Sequence, residues 1–252
     1  MKRLAITIVP GIIFAFLSFA HSAPVRNESL SVFDQANTLY QQEQYQQAAE
    51  TLEVLVNKNQ ANSELYYNLG NAYYRLRQPG RAILNYERAL RLSPRDGDTR
   101  YNLAFVRSQL NLSQSDSMFD IITGWLAGIF SLNELIVLCS FFWTLLCAGL
   151  ITYLYSKSRA LLLFDGLFFV FFIFFAGWFG VKYSRDVAVP AAIVTTGPVE
   201  ARNGPGMDNS VGFTLPEGRK VLVLGEKDEW AAVGIAEEGL KGWVEKKYID
   251  KI

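Results

Sequence analysis

Histidine and cysteine, two residue types on which many catalytic and metal sites depend, are scarce in this sequence. The 252 residues include one histidine, His21, and two cysteines, Cys139 and Cys147. Both cysteines lie in a long apolar segment, where a free cysteine is by default a small packing residue. Catalytic triads, Cys–His pairs and histidine-based metal sites therefore lack their usual residues. We expect a protein that is not an enzyme and that uses no metal or other cofactor.

The charge balance argues against a nucleic-acid partner. Lysine and arginine together number 24, and aspartate and glutamate also number 24, so the formal net charge is zero. Nucleic-acid binding requires a basic face. An arginine-rich stretch does occur, but neighbouring acids balance it, and a solvated face is favoured over a site for phosphates or lipid headgroups. Its arginines are Arg75, Arg77, Arg81, Arg88, Arg91 and Arg95.

Two apolar segments determine the organisation of the chain. Leu132–Tyr155 and Leu161–Val181 are each long enough to cross the hydrocarbon core of a bilayer as a helix, and residues 156–160 form a short turn between them. Asp165 lies just inside the second segment. A membrane-embedded acid is a functional candidate, although water or Arg159 could reach this one. The pattern predicts a transmembrane hairpin whose two flanking regions emerge on the same side.

The N-terminus has the layout of a secretory signal peptide over residues 1–23, with Lys2 and Arg3 before an apolar run and small residues near its end. Cleavage after Ala20 and cleavage after Ala23 both fit, and an uncleaved anchor is the alternative. Export of the following residues places the hairpin turn, with Lys157 and Arg159, in the cytoplasm, in agreement with the positive-inside rule.

Residues 28–110 contain a repeat with a period of 34 residues, clearest over Ser63–Asp96. That copy resembles the tetratricopeptide repeat (TPR) family in its Tyr66, Leu69, Gly70, Tyr73, Ala82, Tyr86, Ala89 and Pro94. A weaker copy precedes it, with Ala36, Leu39, Ala48, Leu52 and Leu55 in phase, and Asp98–Leu110 reads as a capping helix. We expect an all-α TPR solenoid of two repeats plus this helix.

The resemblance implies a peptide-binding groove lined by the first helix of each repeat. Its inward positions are Phe33, Asn37, Tyr40, Gln41, Tyr67, Asn71, Tyr74, Arg75, Tyr101 and Phe105. Some family members clamp a peptide carboxylate with two asparagines and several cations. Asn37 and Asn68 match the asparagines, but Phe33, Asp98 and Asn102 replace the cations, which argues against carboxylate capture. The tyrosines either face a protein partner or pack between helices.

Residues 111–131 connect the solenoid to the hairpin. The apolar part of this linker is too short to span a bilayer and contains Trp125, so we predict an interfacial helix, with one long kinked helix as the alternative. Ser131 and Glu134 have the spacing of a capping box, which would start the first spanning helix anew.

Residues 187–252 have the pattern of a small all-β domain. Five strands are predicted, separated by glycine- and proline-containing turns: Ala191–Thr195, Pro198–Ala201, Lys220–Leu224, Trp230–Ile235 and Gly242–Glu245. The segment resembles the bacterial SH3 family in Val199–Pro205, Leu215–Gly218, Val221–Leu224, Trp230, Gly242–Val244 and Tyr248. The resemblance implies an SH3-like barrel that binds peptides or cell-wall cross-links. Trp230, Trp243 and Tyr248 are its candidate ligand-binding residues, with a core role for Trp243 as the alternative.

The complete order of segments resembles that of the TPR members of the Bacteroides aerotolerance (Bat) family. The segments are a signal peptide, a TPR solenoid, a membrane hairpin and an SH3-like barrel. That resemblance implies partners with von Willebrand factor A domains on membrane helices and a role in oxidative-stress tolerance or envelope maintenance. We expect a multidomain membrane protein in the bacterial inner membrane, with both modules on the periplasmic side. It would act as a scaffold for membrane or periplasmic proteins. The alternative is an envelope sensor whose barrel binds cell-wall peptide.

Overall fold

The structure, a computed structural model, describes residues 23–58, 61–112, 128–184, 190–235 and 238–252. The chain divides into two compact units, residues 1–60 and residues 61–252. The predicted signal peptide, apart from Ala23, lies outside the described residues, and so do residues 113–127 of the linker, which include most of the predicted interfacial helix.

The first unit contains a pair of helices, α1 (Ala23–Gln41) and α2 (Tyr45–Asn57). The small residues Ala36 and Ala48 are almost fully buried, as are Leu52 and Leu55. Glu43 in the intervening turn has a left-handed backbone, with φ of 62°. Small residues at the buried positions allow two helices to pack closely.

The second unit begins with α3 (Ser63–Arg75), α4 (Pro79–Leu92) and α5 (Gly97–Gln109). Asn62 starts α3 by accepting a hydrogen bond from the backbone of Leu65, and Pro79 occupies the first turn of α4, where no backbone donor is needed. Gly70 allows α3 and α4 to approach: a Cβ atom there would lie 2.6 Å from the Tyr86 ring.

Helices α6 (Leu132–Ser156) and α7 (Arg159–Tyr183) form the apolar hairpin. Both are long and apolar enough to cross a membrane. The predicted capping box at the start of α6 is confirmed, because Ser131 and Glu134 exchange side chain-to-backbone hydrogen bonds. The turn is shorter than the predicted residues 156–160. Lys157 adopts a left-handed conformation, with φ of 54°, and so reverses the chain within two residues.

The C-terminal residues form an antiparallel sheet with strand order β3-β2-β6-β5-β4-β1-β7. The strands are β1 (Ala191–Val194), β2 (Val199–Arg202), β3 (Val211–Leu215), β4 (Lys220–Lys227), β5 (Trp230–Ile235), β6 (Leu240–Glu245) and β7 (Ile249–Lys251). A 3-10 turn, Lys246–Tyr248, precedes β7. Side chains from all seven strands pack around one core.

Two of these strands, β3 and β7, were not among the five predicted from sequence. Both are edge strands: β3 pairs with β2 alone, and β7 pairs with β1 alone. Edge strands bury fewer side chains, so their sequences show a weaker alternation of apolar and polar residues. In β3, only Leu215 is buried.

The sheet packs directly against α4. The carboxylate of Glu217 accepts a hydrogen bond of 2.9 Å from the backbone nitrogen of Gly80. A Cβ atom at Gly80 would lie 2.7 Å from the Val194 carbonyl oxygen, and one at Gly218 would lie 2.6 Å from Ile83. These approaches leave no room for larger residues. The helical repeat and the sheet therefore share a tightly packed interface.

A second set of contacts joins the repeat to the hairpin. Arg95, in the loop between α4 and α5, donates to the backbone oxygen of Ile129 and pairs with the carboxylate of Glu134. Phe130 packs edge-on against Phe175 and Trp178 of α7. The loop after α4 is thus attached to the first turn of α6.

Candidate protein-binding surfaces

The first candidate site is the surface formed by α3 and α5, here called the α3–α5 surface. Tyr74 of α3 packs edge-on against Phe105 of α5, with ring centroids 5.9 Å apart. The Tyr74 hydroxyl also lies 3.3 Å from the amide nitrogen of Gln109. Tyr101 has 72% of its surface exposed and Phe105 has 42%. Large aromatic side chains therefore stand on this surface in contact with solvent.

Asn71 lies at the centre of a hydrogen-bond network that joins the helices of this surface to α4. Its Oδ1 atom accepts one bond of 2.7 Å from the hydroxyl of Tyr86 and one of 3.0 Å from Nδ2 of Asn102. The same Asn102 nitrogen lies 3.4 Å from the Tyr67 hydroxyl. The network fixes the Asn71 amide and links α3, α4 and α5. The sequence pattern placed Asn71 in a binding groove and did not indicate this packing role.

The remaining predicted groove residues are distributed between the two units. Asn68 is half-buried and Arg75 is exposed on α3. Phe33, Asn37 and Tyr40 are half-buried on α1, in the unit of residues 1–60, where the Tyr40 ring packs edge-on against Tyr45 at 5.1 Å. Tyr67, Tyr74 and Tyr101 are the predicted tyrosines that belong to the α3–α5 surface.

The second candidate site is a cleft of about 350 Å³ in the sheet domain. It brings together two of the three predicted ligand-binding residues, Trp230 and Tyr248. Trp243 lies outside the cleft, half-buried on β6 between Ala232 and Arg202 of the neighbouring strands. The other lining residues are Thr196, Gly197, Pro198, Val199, Glu200, Arg202, Met207 and Glu245.

Charged groups around the cleft hold its walls in place. Arg202 pairs with Glu200 at 2.7 Å and also donates to the backbone oxygens of Met207 and Asn209, at 2.9 and 2.7 Å. Its guanidinium therefore fixes the loop after β2. Glu200 and Arg202 are two residues apart on one strand and so share a face. That spacing is a sequence signal for the pair, but neither residue was among the predicted site residues.

Lys247 contacts two of the residues that line the cleft. Its ammonium group is 2.6 Å from Glu245 and 4.7 Å from the centre of the Tyr248 ring. The hydrogen bond to Glu245 raises the pKa of Lys247 above its usual value, so the group is a full cation at neutral pH. The cleft thus combines aromatic surface with charges of both signs.

A mostly buried carboxylate joins α4, α5 and the sheet. Glu87 of α4 pairs with Arg107 of α5 at 2.5 Å and with Lys220 of β4 at 3.1 Å. Burial alone would raise the pKa of Glu87, but the charges and hydrogen bonds of Lys220 and Arg107 together outweigh it and lower the pKa to about 2. Glu87 is ionised at neutral pH and ties three elements together.

Within the described ranges, no group of three or more His, Cys, Asp or Glu residues is arranged to hold a metal ion.

Comparison with known proteins identifies one segment of the chain. A comparison with curated proteins gives no match. The family model described as tetratricopeptide repeat matches residues 63–96, which are α3, α4 and the loop that follows. Repeats of this family are supersecondary units that stack and present binding surfaces to other proteins. Residues 63–96 are therefore a tetratricopeptide repeat, which places this part of the chain among protein-interaction modules.

Proposed function

We propose that this protein is a membrane-anchored scaffold that binds other proteins at its α3–α5 surface and in the cleft of its sheet domain. The hairpin crosses the bacterial inner membrane, and both modules lie on the periplasmic side. The partners are membrane or periplasmic proteins of a Bat-type complex, which the order of modules in the sequence suggests. The sheet domain corresponds in this proposal to an SH3-like barrel.

The observation that carries the proposal is the exposure of Tyr101 and Phe105 on α5, the helix that packs beside the tetratricopeptide repeat of residues 63–96. Aromatic side chains bury much area on binding and lose little conformational freedom, so they dominate the energetics of many interfaces. The sheet already occupies a different part of the repeat, at α4, through Gly80 and Glu217. A partner of the repeat therefore has the α3–α5 surface available to it.

The direct contact between repeat and sheet supports the membrane topology. The repeat precedes the hairpin and the sheet follows it, yet Glu217 bonds to Gly80. Two crossings return the chain to its starting side, as this contact requires. Lys157 in the turn and Arg159 at the start of α7 then lie on the other side, which agrees with the positive-inside rule.

The proposal is tested by crosslinking the tagged full chain in its native membrane and identifying the proteins that co-purify. We compare the wild type with a Tyr101→Ala/Phe105→Ala variant. The matched control is Leu92→Ala, at the end of α4. It removes an apolar side chain whose exposed fraction, 46%, is similar to that of Phe105. Loss of partners with von Willebrand-type domains in the double variant, and their retention in the control, supports the scaffold. Retention in both variants rules out the α3–α5 surface as the site.

A second candidate function is an envelope sensor, and the link between Arg95 and Glu134 favours it. This link attaches the repeat to the first turn of α6, so that a displacement of the repeat would reach the hairpin. In this function the cleft binds cell-wall peptide through Trp230 and Tyr248. The purified full chain would be retained on peptidoglycan, and Trp230→Ala would reduce that retention. Equal retention of both proteins would count against the sensor.

A further inference from the structure

The carboxylate of Asp165 lies in the apolar hairpin without a partner. Between Glu134 and Lys182 the charged residues are Lys157, Arg159 and Asp165, and the two cations stand at the turn. Within the part of the chain that the structure describes, Asp165 makes no hydrogen bond and no ion pair. A carboxylate in hydrocarbon is costly unless another group compensates it. This inference rests on the proposed membrane topology.

The depth of Asp165 places it inside the hydrocarbon. Helix α7 has 25 residues, about 37 Å at a rise of 1.5 Å per residue, against a hydrocarbon core of about 30 Å. Asp165 follows Arg159 by six residues, about 9 Å along the axis, so its Cα atom lies about 5 Å within the core when the helix is centred in it. Its side chain lacks the long stem by which lysine and arginine reach the headgroups.

The packing around Asp165 is specific. A Cβ atom on Gly149 of α6 would overlap the carboxylate and lie 2.6 Å from its Cγ atom, so glycine provides the space that the acid occupies. The acid is still only half-buried between α6 and α7. At the next residue, Gly166, a Cβ atom would meet no other atom within 4 Å. The hairpin thus holds the carboxylate in place and leaves one side of it open.

A second copy of this chain does not supply the missing charge. When two copies insert in the same orientation, their Asp165 side chains lie at the same depth. Two like charges would then face each other. Arg159 of such a copy lies about 9 Å nearer the turn than the acid does. Lys182 is at the far end of the helix.

We propose that Asp165 is an assembly site within the membrane that pairs with a lysine or arginine on a transmembrane helix of a different protein. Gly149 positions the carboxylate, and the partner helix packs at the open side and neutralises it. Contacts between polar side chains of neighbouring membrane helices have a modest but measurable effect on association.

The test uses the full chain, labelled for fluorescence energy transfer, in vesicles of phosphatidylcholine. This lipid has no net charge and so does not concentrate cationic peptides. The probe is a leucine-rich transmembrane peptide with one lysine at the depth of Asp165. There are two control peptides. The first has leucine in place of the lysine, and in the second the lysine is moved to the depth of Lys182. We expect the matched lysine peptide to bind roughly three- to tenfold more tightly than either control.

Variants of the chain complete the test. Asp165→Leu should lose the preference for the lysine peptide, and Asp165→Glu should keep most of it. Equal binding of the three peptides by the wild type, or an unchanged preference in Asp165→Leu, would overturn the inference. Flotation of the chain with the vesicles and protection of the hairpin from trypsin measure membrane insertion separately. A chain that does not float with the vesicles, or whose hairpin is cut by trypsin, would refute the proposed topology. A chain that inserts but shows no preference for the lysine peptide would refute the role of Asp165 alone.

Discussion

The Nζ atom of Lys220 in β4 lies 3.1 Å from the Oε2 atom of Glu87 in α4. The two residues are 133 positions apart in the sequence, and the apolar hairpin of α6 and α7 lies between them. Glu87 also pairs with Arg107 of α5, so one carboxylate connects the tetratricopeptide repeat, the following helix and the sheet domain. The two modules that flank the hairpin are therefore packed against each other.

Replacement of Glu87 by glutamine should destabilise this unit. The change leaves the cations of Arg107 and Lys220 close together without a carboxylate, and unpaired charges in a mostly buried site are unfavourable. Lys220 is 38% exposed and solvent reduces the penalty, so we expect a loss of about 2 kcal/mol in the free energy of unfolding. Chemical denaturation of the full chain in detergent measures this change in the free energy of unfolding. Glu229→Gln, at an exposed position, serves as the control; an equal effect of both changes would refute the role of Glu87.

The same carboxylate should make stability depend on pH in the acid range. The pKa of Glu87 is about 2 in the folded chain and 4.5 at its ordinary value. Because the folded pKa is the lower one, the unfolded chain binds this proton more readily. The stabilisation is complete above about pH 4.5 and is lost as the pH falls towards 2, by about 2–3 kcal/mol, an amount similar to the effect of Glu87→Gln. Unfolding of the wild type and of Glu87→Gln between pH 2 and 6 should give curves that converge at the acid end. Parallel curves would contradict the assignment.

Alanine at Gly70 should weaken the packing of α3 on α4. Its Cβ atom would lie 2.6 and 2.7 Å from two carbons of the Tyr86 ring, and that ring is buried with its hydroxyl bonded to Asn71. Overpacking of this kind costs about 1–3 kcal/mol. Gly97→Ala is the matched control, since a Cβ atom at Gly97 meets no atom within 4 Å. We expect a lower melting temperature for Gly70→Ala alone, and similar values for the two variants would exclude a tight crossing.

Alanine at Gly80 should separate the sheet from α4. The new Cβ atom would lie 2.7 Å from the Val194 carbonyl oxygen and 2.9 Å from the Thr195 Cα atom, and backbone atoms cannot rotate away. Hydrogen exchange should then be faster at the amide of Gly80, which bonds to Glu217 in the wild type. Gly225→Ala, where a Cβ atom has open space, should leave that exchange unchanged. Unaltered exchange in Gly80→Ala would argue against the interface.

Local patterns in the sequence determined the elements whose signals are strong. The 34-residue period and the small residues Gly70, Ala82 and Ala89 were sufficient to predict the repeat of residues 63–96, because a close helix crossing tolerates few residue types. Length and apolar composition predicted two helices able to span a membrane. The spacing of Ser131 and Glu134 predicted the capping box. Each of these signals depends on residues within one or two elements.

The tertiary structure decided what depends on residues far apart in sequence. The contacts of Lys220 with Glu87 and of Glu217 with Gly80 arise because the chain folds back after the hairpin. The role of Asn71 was likewise set by Tyr86 and Asn102, which lie on two other helices. The edge strands β3 and β7 were missed because they bury little apolar surface of their own. Whether a polar side chain packs inside or faces a partner is decided by its spatial neighbours, which the order of residues does not specify.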